Sequence, residues 1–105
     1  ELTSLDLSSN TALTFVSCYG NMLTSIDVNS NVALKTLKCY GNNISSIDLS
    51  NNINLVELGS NTNQLTTIDL SNNVNLKIIN LGWNNLTALN VSNNKKNHQQ
   101  PRPKG

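Results

Sequence analysis

Apolar and polar positions repeat along this chain in one fixed order. LTSLDLSSN begins at Leu2, LTSIDVNSN at Leu23, ISSIDLSNN at Ile44, LTTIDLSNN at Leu65 and LTALNVSNN at Leu86, each start 21 residues after the last. A related half lies between them: LTFVSCYGN from Leu13, LKTLKCYGN from Leu34, LVELGSNTN from Leu55 and LKIINLGWN from Leu76. Every pass of the chain thus writes LxxLxLxxN twice. Within each half the apolar residues alternate with polar ones (Ile47 in, Asp48 out, Leu49 in), the period of a short strand with one buried face. The intervals are too short for a helix between the halves. The pattern predicts two short strands per pass, stacked about 4.8 Å from their copies as parallel strands are. The result is a β-rich solenoid of about four and a half 21-residue coils with little or no helix. One side carries a parallel sheet, and short strands or extended segments form the opposite side.

Two columns of asparagine follow from this stacking. Where the chain leaves a strand and turns inward, its backbone N–H and C=O groups are hidden from water and need partners. Asn offers two donors and an acceptor on a short side chain. Asn10, Asn31, Asn52, Asn73 and Asn94 make one ladder, and Asn21, Asn42, Asn63 and Asn84 the other. Replacing Asn52 by Leu is expected to cost about 1–3 kcal/mol by stranding buried backbone groups.

Composition agrees with a repeat array. The chain has 105 residues, 37% of them apolar and 4% aromatic, which is thin for a spherical core. A stack of repeats needs apolar residues only at fixed inward positions. The formal charge of +1 hides an asymmetry: residues 1–94 carry Lys35, Lys38 and Lys77 against six acidic groups, and Lys95, Lys96, Arg102 and Lys104 sit in the tail. A mildly acidic body without a basic stripe argues against nucleic acid as partner. No apolar run approaches the length needed for membrane insertion. No Ser/His/Asp grouping, paired acid in a cleft or phosphate loop is present, and the lone His98 lies in the tail, so neither an enzyme, a cofactor nor a metal centre is expected.

The pattern LxxLxLxxN at a constant period resembles the leucine-rich repeat signature, over residues 2–94. The variant LKTLKCYGNN, with Cys in the second half, resembles the cysteine-ladder, internalin-like repeats of bacterial surface proteins. That resemblance implies a right-handed solenoid displayed outside the cell and used for adhesion or host contact. The chain departs from the ladder where its column reads Cys18, Cys39, Ser60, Leu81. Cβ atoms in one column lie near the strand spacing, about 4.8 Å, whereas a disulfide wants about 3.8 Å, so two free thiols are expected. The column asks for something that fits inside, and buried Cys behaves as a small hydrophobe.

The outward positions differ between the halves. The first presents Asp6, Asp27, Asp48 and Asp69 in a row ending at Asn90, expected to hydrogen-bond flanking hydroxyls, with calcium as the alternative occupant. Beside it runs a hydroxyl array, Thr3, Thr24, Thr66 and Thr87 with Ser25, Ser46 and Thr67, of the kind some ice-binding surfaces carry. The second half holds all the aromatic residues: Phe15, Tyr19, Tyr40 and Trp83, with Lys35 and Lys38 near them. Exposed Tyr and Trp anchor protein interfaces or stack on sugars. The expected binding residues are Phe15, Tyr19, Lys38, Tyr40 and Trp83.

The ends are open in this pattern. After Asn94 the sequence KKNHQQPRPKG, residues 95–105, has no apolar residue and is expected as a disordered basic tail, leaving residues 1–94 as the solenoid. Glu1 in place of an initiator Met suggests a processed or excised piece, and uncapped ends suggest end-to-end self-association. The sequence points to an extracellular or cell-surface binding module for a protein or glycan. An ice-binding surface or a purely structural spacer repeat within a larger surface protein is the alternative.

Overall fold

The computed structural model describes residues 3–87 and 89–94. Leu2 and the basic tail, with the expectations placed on them, lie outside the described residues. Four strands form, β1 (Phe15–Ser17), β2 (Thr36–Lys38), β3 (Glu57–Gly59) and β4 (Ile78–Asn80), each three residues long. They make one parallel sheet in the order β1-β2-β3-β4. Phe15 pairs with Thr36, Thr36 with Glu57 and Glu57 with Ile78, so every strand meets the residue 21 positions on. No helix is present among the described residues, and the fold is a β-solenoid.

The central residue of each strand points inward. Val16, Leu37, Leu58 and Ile79 are buried, as are the leucines that enter each strand, Leu34, Leu55 and Leu76. The other half adds Leu23, Ile44 and Leu65 with Val28, Leu49 and Leu70, which close the interior from the far side. Each such side chain stabilises the fold by about 1.5–3 kcal/mol relative to exposure. Leu5, Leu7, Leu13, Leu86, Leu89 and Val91 are partly buried and pack on this core.

The first half of each pass does not form the expected strand. Its alternation is kept, with Ile26 and Val28 buried and Asp27 exposed, but only scattered backbone bonds, such as Asn43 N–H to Leu23 O and Thr87 N–H to Thr66 O, join it to its copies. The N–H groups of Ser8, Asn29, Ser50 and Ser71 donate to the carboxylate two residues back, Asp6, Asp27, Asp48 and Asp69, at 2.9–3.0 Å. Ser92 N–H donates likewise to Asn90. Each bond closes a short turn, the local use that such short polar side chains make of the backbone. At the equivalent positions of the second half, Ser17, Lys38, Gly59 and Asn80 are the last residues of β1, β2, β3 and β4. There Lys35 and Thr36 N–H both donate to Thr14 O, and Val56 and Glu57 N–H to Lys35 O.

The two asparagine columns, alike in sequence, do different work. In the second, Asn63 Oδ1 accepts from Ile44 N–H at 3.0 Å while its Nδ2 donates to Cys39 O at 3.1 Å and Ser60 O at 3.2 Å. Asn42 and Asn84 repeat this arrangement with Leu23 and Leu65 N–H. In the first, Asn52 Nδ2 donates to Val28 O and Asn31 O of the preceding pass, and Oδ1 has no partner among the described residues. Asn31, Asn73 and Asn94 share that fate, and Asn10 is exposed. Val28 O and Asn31 O already accept backbone N–H groups, from Asn31 and Leu34. The expected cost of replacing Asn52 is therefore too large: its donors reinforce carbonyls that are satisfied without it.

Candidate functional site: the outward face of the sheet

Strand alternation turns the residues flanking Val16, Leu37, Leu58 and Ile79 outward, and these carry the candidate chemistry. Phe15 on β1 is 55% exposed. The Lys38 ammonium lies 5.8 Å from the Phe15 ring centroid and 3.9 Å from a Glu57 carboxylate oxygen. Both partners of that ion pair are about a third exposed, so solvent screens it and it contributes little stability. Its effect on the surface is to leave the sheet face without an unpaired charge at its centre.

Just past the strands, Tyr19 and Tyr40 stack with ring centroids 5.1 Å apart and an interplanar angle of 16°. The spacing is nearly that of the strands, so the rings run along the solenoid in register with the chain. Their backbone rows continue regularly: Gly20 N–H donates to Tyr40 O, Gly41 N–H to Asn61 O and Thr62 N–H to Gly82 O. The structure thus gathers Phe15, Tyr19, Lys38 and Tyr40 into one contiguous patch. Trp83, 64% exposed, belongs to the same face but lies two passes beyond Tyr40.

A turn common to all four passes follows the aromatic row. Gly20, Gly41, Thr62 and Trp83 have φ of 70°, 74°, 58° and 58°, the left-handed region. Gly suits that geometry, and a Cβ at Gly41 would lie 3.3 Å from Gly20 N, whereas β-branched Thr62 is strained by it. Gly20 and Gly41 at a 21-residue interval were a visible signal of this turn, but Thr62 and Trp83 concealed its continuation.

The other candidates lie away from this patch. Cys18 and Cys39 are free and buried. Burial pushes the Cys39 thiol up to about 11, with the Ser60 hydroxyl it meets at 3.5 Å pulling the other way. Burial also raises Cys18. The Asp row is fully exposed, and the Ser8, Ser50 and Ser71 hydroxyls, then their N–H groups, hold Asp6, Asp48 and Asp69 below the ordinary carboxylate range. Ser8 Oγ reaches Asp6 at 2.6 Å and Ser50 Oγ reaches Asp48 at 2.7 Å. Two exposed asparagine rows went unrecognised in the sequence. Asn51, Asn72 and Asn93 donate to Asn29, Ser50 and Ser71 carbonyls, and Asn54 and Asn75 to Val32 and Ile53 carbonyls, one pass back. Their 21-residue recurrence was the available signal.

The solved functional domain of InlJ from Listeria monocytogenes, which includes a cysteine ladder, matches this fold with a TM-score of 0.90. It is 38% identical over 91% of this chain, and this chain spans 21% of that solved chain. The resemblance to internalins of the cysteine-ladder type is thus one of sequence and of fold. No protein-family model and no curated protein matches the sequence.

Proposed function

We propose that the chain is a binding module acting outside the bacterial cell, an adhesion segment recognising a partner through the outward face of its sheet. The fold likeness to InlJ supports a surface interaction role rather than catalysis. A 21-residue repeat, present about four and a half times, gives that face its regular rows. The observation that carries the proposal is the placement of the aromatic residues. All four in the chain lie on the sheet half, and Phe15, Tyr19 and Trp83 are more than half exposed. Aromatic side chains of this kind dominate recognition energy where a partner covers them. The hydroxyl array is the weaker surface, because it runs beside carboxylates held in the charged state, and hydrated charge interrupts the flat, weakly apolar surface that ice adsorption requires.

Binding to panels of immobilised glycans and extracellular proteins tests the proposal, with a variant replacing Tyr19, Lys38 and Tyr40 by Ala as control. A partner held by the wild type and released by the triple variant is expected. A partner held equally by both places the recognition surface elsewhere.

A further inference from the structure

Charge is sorted between the two halves of each pass. Among the described residues every lysine, Lys35, Lys38 and Lys77, lies in the sheet half, and every aspartate, Asp6, Asp27, Asp48 and Asp69, lies in the other. Lys38 is engaged at 3.9 Å by Glu57, the single acid of the sheet half among those residues. Lys35 and Lys77 are exposed and have no ion-pair partner among the described residues. They share one row: Val56 N–H donates to Lys35 O and Lys77 N–H to Val56 O, which sets the two lysines two passes, or about 10 Å, apart.

The opposite side carries seats at the same interval. One cleft lies between Asp6 and Asp27, with Ser8 and Ser30 in its lining. An equivalent cleft lies two passes on, between Asp48 and Asp69, where Ser50 and Asn72 take those places. The Ser50 hydroxyl and N–H hold Asp48 low, while Asp69 across the cleft pushes it up, so the paired carboxylates repel each other. We infer that a second copy of this chain docks laterally, its Lys35 and Lys77 ammonium groups entering these two clefts. Each ammonium then lies between two carboxylates and offsets their repulsion. One repeat length sets both intervals, so a second copy is a partner whose acids are bound to match the lysines. The contact is heterologous, sheet side against aspartate side, and leaves each copy with one face free, so copies add in an open row. The inference stands apart from the ligand proposed for the aromatic patch, since Lys35 and Lys77 precede the strands whereas Tyr19 and Tyr40 follow them.

Sedimentation of the full chain at low ionic strength tests this. The wild-type mass should climb with concentration without levelling at a dimer. It should return to that of one chain as salt is raised and the screening length falls to about 8 Å or less. Lys35→Glu with Lys77→Glu should weaken association by about tenfold or more. So should replacing Asp6, Asp27, Asp48 and Asp69 by Asn, a change the fold accepts, since Asn90 already takes the Ser92 N–H in the same turn. A chain carrying Asp6→Lys and Asp48→Lys should associate weakly alone, yet mixing it with the Lys35→Glu, Lys77→Glu chain should restore association. That rescue also shows both variants to be folded. A wild type that stays monomeric, association indifferent to salt, a closed dimer, or a mixture without rescue overturns the inference. Association that survives the lysine changes but fails in the Asn variant assigns the cation to the basic residues 95–105 and overturns it as well. None of these outcomes bears on the aromatic patch, which the ligand panels test separately.

Discussion

Replacing Asn63 and Asn52 by leucine, one at a time, separates the two asparagine columns. The substitution is the same and both sites are buried, so volume and transfer terms cancel to first order and hydrogen bonding is left. Asn63→Leu strands Ile44 N–H, which has no other acceptor among the described residues, at about 1–3 kcal/mol. It also removes donors from Cys39 O and Ser60 O, but these keep bonds to Asn42 and Asn84, so each loss is about 0.5 kcal/mol. The total is about 3 kcal/mol. Asn52→Leu removes donors from Val28 O and Asn31 O, both bonded to backbone N–H groups, at about 0.5–1 kcal/mol each. It also eliminates a buried oxygen that has no partner among the described residues, a gain of similar size. Its net cost is about 0–1 kcal/mol, and the two variants should differ by about 2–3 kcal/mol. Urea unfolding with a shared slope measures this as a difference in midpoints. Equal losses, or a larger loss at Asn52, would refute the assignment of different roles to the two columns.

Three further outcomes follow from the geometry. Thr62→Gly should raise stability by about 0.5–1 kcal/mol, the relief of left-handed strain less the added chain entropy of glycine, and a lowered melting temperature would contradict it. The raised Cys39 pKa means that the unfolded chain releases its proton first, so stability is intact below pH 9 and falls as pH rises toward about 11. The loss between pH 8 and 10.5 should be about 2 kcal/mol and shrink in Cys39→Ala, as read by unfolding at the two pH values. Ser50→Ala should move the Asp48 pKa back up, because the hydroxyl is the largest cause of its depression. The stabilising effect of that bond is present above the ordinary pKa of 3.8 and lost as pH falls through the lowered value, and carboxyl NMR titration follows it. An unmoved Asp48 would show that the hydroxyl contributes nothing.

Stacking was legible in the sequence because it rests on side-chain size at fixed intervals. Leu34, Leu55 and Leu76 can occupy one row only if successive passes are in register, and the sheet pairing follows from that. Whether each half becomes a strand is not written in that spacing. Asp48 and Ile47 alternate as a strand would, yet this segment stays outside the sheet and the Asp48 carboxylate takes the Ser50 N–H in a local turn. Asn52 and Asn63 carry the same side chain and differ in what the neighbouring backbone offers, which no spacing reveals. The patch of Phe15, Tyr19, Lys38 and Tyr40 was legible from alternation and period alone. The left-handed turn at Trp83 was hidden, because a bulky side chain is not expected at that backbone.

The claim beneath all of this is that successive passes lie one over another at a 21-residue register. Through-hydrogen-bond NMR couplings on the labelled protein test it most directly. The account predicts couplings from Lys35 N–H to Thr14 C=O, Val56 N–H to Lys35 C=O and Lys77 N–H to Val56 C=O. Couplings displaced by even one residue, or none at these three amides, would contradict it.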